Sequence, residues 1–572
     1  MKTRPLVLLV VLPTSLLLGF AAGFWMPRDD DFFALRKNYQ IFGALYEELV
    51  TGYVDRLDPE RLMRRGITAM LKDLDPYTVF YDEADNADID IIMRGRYGGV
   101  GLSAAIYDGK LTVTAPVEGT SSYRQGIRAG DVITHIAGQP TEGLSLEDVQ
   151  HLLRGEPGTT VEVTVVREGE PEPLSFLLTR EEVRLRSVTF AGFVNDDTSA
   201  GIGYIRLERF AESAPAEVRQ ALQNLQQTGR LRGLLLDLRD NPGGLLEAAV
   251  DIAGLFVPQH TPIVSTRGRQ PESEHVYATQ RPPLAPDLPL AVLMSDLSAS
   301  ASEIVAGALQ DLDRAVIVGE RSFGKGLVQI VRPLPYHTSL KLTTARYYIP
   351  SGRSIQARDY GRHDGTATPI PDSLRHAYRT AAGRTVLDGR GIEPDVPVEE
   401  PPPSALEEAL ERRAAFLFFA NHFAATHPLP AGDAPPAARF AHAFGVPPER
   451  FEVSDAILVD FRAWLASQNF TYRTAAEHTL ETLMKDLDAS GYAATSEEVA
   501  ALRTAIAREK ADDFARHRAR LKARLRTAIL ARYLDTADRI RATLPHDAPV
   551  REAVRLVTDT AAYARLLRPE GR

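Results

Sequence analysis

From Pro5 to Pro27 the chain is uncharged and rich in Leu, Val and Phe, and Lys2 and Arg4 precede it. A basic flank followed by an apolar stretch near the ~20 residues that span a bilayer predicts a secretory signal or a single membrane anchor. Trp25 and Arg28 sit where an interfacial anchor ends, and no clear small-x-small cleavage site follows, so the expectation is a retained anchor, with cleavage the alternative. Beyond it Leu35, Tyr39, Phe42, Leu45 and Leu49 recur at three- and four-residue spacing. That period predicts a helix with one apolar face. A second helix is expected from Pro59 through Leu62, Ile67 and Leu71, ending before Asp75-Pro76.

The pattern then changes twice. Residues 95–182 hold short β-like runs, at Leu111 to Ala115, Val132 to Ile136 and Val161 to Val166, around one helical segment, Leu146 to Leu153, with Ser145 as its N-cap. From 201 to about 398, strands alternate with helices. Strands are expected at 203–207, 290–294 and 316–318, and helices at 214–228, 245–255 and 301–309. Leu234 to Leu238 is a continuous apolar run, as expected of a strand buried on both faces. The alternation predicts an α/β core. After the linker Pro401-Pro402-Pro403 the chain is almost wholly helical to Arg572, apart from a Pro/Ala/Gly loop at 428–437. The expected domains are therefore 1–28, 29–94, 95–183, 184–400 and 401–572.

Composition narrows the functional classes. A formal charge of −10 argues against a general nucleic-acid binder. With no cysteine there is no disulfide, thiolate metal site or lipoprotein anchor. The acidic stretch Asp82 to Asp90 lacks the Gly and terminal Glu of a calcium loop and reads as a solvated connection. Arg516, Arg518, Arg520, Lys522, Arg524 and Arg526 form a basic run without interleaved aromatics, which reads as a solvated helix face rather than a nucleic-acid or lipid site.

Two small-residue turns carry the chemistry: Ser298-Ala299-Ser300-Ala301-Ser302-Glu303, and Gly319-Glu320-Arg321-Ser322-Phe323-Gly324-Lys325-Gly326. No histidine lies in a catalytic signature beside them. A hydrolase built here uses serine as nucleophile and lysine as base. A free lysine, with pKa of about 10.4, is no base at neutral pH, but desolvation lowers it to ~7–8. Lys325 is therefore expected to be buried. Gly319-x4-Gly324-Lys325 approaches a phosphate-binding loop, but Gly326 stands where such loops need Ser or Thr for magnesium. Ser300 lies at a strand-to-helix turn, so the Ala301 amide is an oxyanion donor, and Gly243 of the turn Asp240-Asn241-Pro242-Gly243-Gly244 is the expected second. Ser298 and Ser302 are the local rivals to Ser300.

These segments, with Ala306 to Asp311, Val328-Gln329 and Asp237 to Gly244, resemble the carboxy-terminal processing (tail-specific) proteases over roughly residues 35–398. Residues 95–183 resemble a PDZ domain. The resemblance implies an α/β protease core of mixed sheet and helices, an inserted PDZ-like β-rich domain, N-terminal helices and an all-α C-terminal region outside the likeness. It implies Ser300 as nucleophile, Lys325 as general base, Gln329 holding the lysine and Asp311 as a supporting acid. The carboxylate-binding loop falls on Gly99, Val100, Gly101 and Leu102, with the peptide groove between the next strand and helix 146–153. Met294-Ser295-Asp296-Leu297 departs from relatives that often carry Asn and glycines there. The implied activity is cleavage of extracytoplasmic proteins (periplasmic or cell-envelope) near their C-termini, with no metal or organic cofactor and no nucleic-acid partner. Membrane contact falls to the N-terminal segment, and the C-terminal helices are left to self-association or an adaptor. Two rivals stand: a Ser-His-Asp hydrolase using His135 or His337, and a non-catalytic PDZ scaffold.

Overall fold

The computed structural model describes residues 29–82, 94–194, 201–360, 367–399, 401–492 and 496–568. The anchor expected at 1–28 and most of the acidic stretch lie outside the described residues, among which no helix is long and apolar enough to cross a membrane.

Residues up to Phe80 belong to one compact unit, with helices α1 (Asp29–Gly52) and α2 (Pro59–Lys72). Asp58 caps α2 by accepting from the amides of Glu60 and Arg61, and Pro59 follows at the first position, where its missing N–H costs nothing. The predicted apolar face of α1 is formed, and Leu35, Tyr39, Phe42 and Leu45 on it are exposed.

Within the second unit, β1 (Arg96–Gly99), β2 (Leu102–Tyr107), β3 (Lys110–Pro116), β4 (Val132–Ile136), α3 (Leu146–Leu153), β5 (Thr160–Val166), β6 (Leu174–Thr179) and β7 (Glu181–Arg184) make the β-rich module. Its sheet runs β2-β3-β4-β5-β6, with Val113, Ile133, Val163 and Leu178 in its core. Ser145 caps α3 in a reciprocal pair with Asp148. Because β2 is the last strand of that sheet and α3 packs beside it, an open strand edge faces the predicted groove.

The α/β core contains β8 (Val188–Phe193), β9 (Ile202–Leu207), α4 (Ala214–Gln227), β10 (Gly233–Asp237), α5 (Leu246–Ala253), β11 (Pro262–Gly268), β12 (His275–Ala278), β13 (Leu290–Met294), α6 (Ala301–Asp311), β14 (Val316–Gly319), β15 (Leu327–Pro333), β16 (Ser339–Tyr348) and β17 (Val396–Pro397). Its main sheet has the order β8-β9-β10-β13-β14-β17, parallel except for β8. Leu234, Leu236, Val292 and Ile317 point to a core shared with α4, α5 and α6. In a second sheet β11 pairs with β12 and β16, and β15 with β16, all antiparallel.

The helical end includes α7 (Ala405–Arg412), α8 (Ala415–Thr426), α9 (Asp455–Ser467), α10 (Arg518–Tyr533), α11 (Thr536–Thr543) and α12 (Ala548–Thr558). It is not set apart from the core. Ile540, Leu544, Val550, Leu556 and Val557 cover the other face of the main sheet, packing on Tyr204, Leu235, Leu293 and Val318. A parallel sheet needs helices on both faces, and this is where the second layer comes from. The helical end also holds the β-rich module, through Arg413–Asp108 at 2.8 Å, His422 Nδ1 to Glu168 at 3.1 Å and the Thr536 amide to Glu118 at 2.8 Å. The basic run is also not simply a solvated face. Arg520 pairs with Glu407, Lys522 and Arg518 with Asp455, and Arg524 with Glu411, so its charges join α10 to α7 and α9. Arg526 is buried and donates to the carbonyls of Phe451, Pro448 and Ala542.

Candidate active site

Three neighbouring parallel strands, β10, β13 and β14, end on one edge of the main sheet, and each leads into one of the motif loops. Open α/β sheets bind ligands at this carboxyl edge. The adjacency brings together segments that the sequence separates by tens of residues.

Ser300 caps α6 with φ 56° and ψ −113°, a left-handed conformation that costs a non-glycine residue free energy and persists only where its surroundings enforce it. Its amide donates to Glu303 Oε2 at 2.7 Å, and Tyr347 Oη donates to its carbonyl at 3.2 Å. The rival serines are spent elsewhere. Ser298 Oγ donates to the Leu238 carbonyl at 2.8 Å and Ser302 Oγ to that of Asn241 at 2.9 Å, both buried. Of the three, Ser300 is the one that lines the cleft described below.

Glu303, to which the sequence reading gave no role, joins the two motifs. It is fully buried and accepts from Ser322 Oγ at 2.5 Å, the Gly324 amide at 2.7 Å and the Lys325 amide at 2.9 Å, besides that of Ser300. Burial pushes its carboxyl up from 4.5 to about 7, against the pull of these donors. Tyr347 Oη also reaches the Lys325 carbonyl at 2.5 Å. The backbones on either side of the reaction centre are thus tied to one carboxylate and one phenol.

Ser300, Lys325, Gln329 and Gly243 line one cleft of about 940 Å³, together with Leu245, Ile304, Val328 and Tyr347. Lys325 is half-buried rather than fully enclosed, because the open cleft leaves one side of it to solvent. Gln329 Nε2 donates to Thr343 Oγ1 at 3.2 Å. Gly243, at φ 100°, lies so close to the serine turn that a Cβ there would stand 2.8 Å from Ser300 Cβ and 2.7 Å from the Ala299 carbonyl. Its amide, expected to face the cleft, instead donates to Asn241 Oδ1 at 2.9 Å. The Ala301 amide makes no hydrogen bond among the described residues. Gly243→Ala is accordingly expected to cost at least a hundredfold in kcat/KM, read against the intact chain at equal folded concentration.

Asp311 is away from the cleft, buried in an ion pair with Arg353 at 3.0 Å and accepting from the Ser351 amide. Ser295, in the departing segment, bonds to Asp240 through its hydroxyl, joining the loops after β10 and β13. Among the described residues no histidine lines the cleft, His135 and His337 included. Gly99 to Leu102 connects β1 to β2, and the Val100 carbonyl accepts from Ser122 Oγ at 2.7 Å.

Residues 201–362 match the model of peptidase family S41, 112–167 that of the PDZ domain, and 406–557 that of the C-terminal helical domain of probable PDZ-proteases. A carboxy-terminal-processing protease of Bartonella bacilliformis is 35% identical over 356 residues, covering 62% of this chain and 80% of that protein. The chain belongs to the carboxy-terminal-processing protease family. A carboxyl-terminal-processing protease of Synechocystis sp. is 39% identical over 295 residues, 51% of this chain and 67% of its own. The S41 protease is of the serine type, and the PDZ domain takes peptide substrates. The helical region, read from sequence as an addition outside the likeness, matches a named companion module of PDZ-proteases.

Proposed function

We propose that the protein cleaves extracytoplasmic proteins near their C-termini with Ser300 as nucleophile and Lys325 as general base. The observation that carries this is the meeting of Ser300 and Lys325 in one cleft while Ser298 and Ser302 are buried and engaged. Substrate filling the cleft displaces the water that still reaches Lys325, and the neutral amine takes the Ser300 proton as Oγ attacks the peptide carbonyl. The oxyanion forms against the Ala301 amide. Gly243 joins it when its peptide turns away from Asn241 Oδ1. The amine leaves with a proton from Lys325, and Lys325 then activates the water that hydrolyses the acyl-enzyme. Gln329, on the same cleft wall, is assigned to orient the lysine, and Asp311 to support the helix behind the serine. The PDZ domain captures the substrate tail as an added strand on the open edge of β2, its carboxylate at Gly99 to Leu102. The basic and apolar N-terminal segment directs the chain outside the cytoplasm and anchors it.

The test is cleavage of an unstructured protein with an apolar C-terminal tail, with products mapped by mass spectrometry. Wild type is expected to cut it near the tail, and Ser300→Ala to bind the tail without product. Equal product from Ser300→Ala overturns the assignment, and tail binding without turnover by any form points to a scaffold.

A further inference from the structure

The cleft carries more positive charge than its own acids and the proposed chemistry use. Arg206 faces Glu208 at 3.3 Å and Asp240 at 3.9 Å, and Arg239 is held by Asp237 and Asp547. Lys325 is the proposed base. Arg209 and Lys341 also line the cleft, and neither side chain makes an ion pair or a hydrogen bond among the described residues. Arg209 Nε is buried with no acceptor. Lys341 is half-buried, and burial alone pushes its ammonium below the usual value, with no carboxylate contributing. The remaining acid of the lining, Glu247, is exposed.

Unpaired cations partly removed from water are costly, and an incoming anion relieves that cost. Their place along the cleft indicates what brings the anion. Gln329 pairs with Thr343 and Val331 with Lys341 across β15 and β16, so all four share one sheet face. Lys341 is thus one step, roughly 7 Å, beyond the Gln329–Thr343 hydrogen bond, on the side away from Lys325. Leu327, Val328, Gln329, Ile330 and Val331 line the cleft consecutively, which makes β15 a wall that an extended peptide follows.

We propose that Lys341 and Arg209 are specificity-determining residues that take a carboxylate of the substrate segment lying along β15. The inference rests on the proteolytic reading of the cleft. The carboxylate comes from an Asp or Glu side chain near the scissile bond or from the substrate's own C-terminus.

The full-length protein is assayed on unstructured peptides carrying Asp, or Asn in its place, at successive positions around the cut, each with a free and an amidated C-terminus. Charge-assisted hydrogen bonds set the scale at about tenfold. At one or more positions, wild type is expected to favour Asp over Asn by that factor in kcat/KM, mainly through KM. Lys341→Met or Arg209→Met brings the ratio toward one, and Lys341→Arg retains it. A preference that follows the free terminus instead identifies the C-terminal carboxylate as the source. Ratios near one in wild type for both comparisons, or a preference unchanged in both Met variants, overturn the proposal. The same peptides are titrated by fluorescence anisotropy onto Ser300→Ala with and without Lys341→Met. If no form cuts any peptide, the proteolytic reading has failed, and loss of the anisotropy preference in the Met variant still decides for or against the subsite.

Discussion

Glu303→Ala is expected to abolish turnover as completely as loss of Ser300 itself, and to cost the fold several kcal/mol. The substitution leaves four donors, the amides of Ser300, Gly324 and Lys325 and the Ser322 hydroxyl, without their acceptor in a fully buried site. Each buried donor so orphaned costs ~1–3 kcal/mol, against a total stability of about 5–15 kcal/mol. Because the same carboxylate fixes the Ser300 turn and the Lys325 loop, both reacting groups lose their placement together. A misplacement of about 1 Å is enough to cost a hundredfold. Glu303→Gln keeps the volume but turns an amide toward two of the donors, and is expected to be nearly as inactive while folding better. The two variants also differ from wild type in pH dependence. With its carboxyl raised from 4.5 to about 7, folded wild type holds a proton that the unfolded chain has released between those values. The contribution of this group is therefore greatest below pH 4.5 and is lost as pH rises toward 7, on the order of 3 kcal/mol in all. Urea unfolding from pH 5 to 8 is expected to show wild type losing stability relative to Glu303→Gln over that window. Parallel curves, or full activity in either variant, would sink this account.

Much of this architecture was legible because local chemistry and global fold agree. The apolar run Leu234 to Leu238 announces a strand buried on both faces, and Ser300 and Lys325 stand in turns of small residues that have few other uses. Ser145 before Leu146 to Leu153 reads directly as a capped helix, and the structure gives that cap. What was missed depends on partners distant in the chain. Glu303 looks like an ordinary N-terminal helix acid, since the Ser322 and Lys325 loop it holds returns only through the β13–β14 adjacency. The one available signal is an acid inside a helix whose other early residues are all small or apolar and which is buried throughout. Glycine at 243 declares a close approach, which is present, but a glycine does not reveal which way its peptide faces. The basic run reads as solvated because the acids that neutralise it, Glu407, Glu411 and Asp455, lie before it by more than sixty residues. The largest gap is the second helical layer. A strand buried on both faces demands one, yet the proline linker at 401–403 made everything after it look separable.

That layer makes truncation decisive. A chain ending at Leu534 loses α11 and α12, and with them Ile540, Leu544, Val550, Leu556 and Val557 from the face of the main sheet. At roughly 2 kcal/mol for each large apolar side chain buried, the loss is about 10 kcal/mol, as large as the net stability of a typical domain. It also removes Asp547, which caps α12 through the Val550 amide and holds Arg239 at 2.8 Å. Arg239 in turn pairs with the buried Asp237, whose carboxyl burial pushes up but Arg239 pulls below the usual range. Losing Asp547 thus leaves Arg239, at the start of the loop that carries Gly243, held by Asp237 alone. The truncated chain is expected to be insoluble or without cooperative unfolding and to cleave nothing. Asp547→Ala separates the two effects. It leaves the apolar layer in place, so it is expected to fold, with kcat reduced about tenfold through the loosened Arg239. Circular dichroism melts and turnover of the tailed substrate read both. A truncated chain that melts cooperatively and still cleaves would mean the sheet closes its second face without residues 536–558, and the C-terminal helices would then be an accessory rather than part of the enzyme's core.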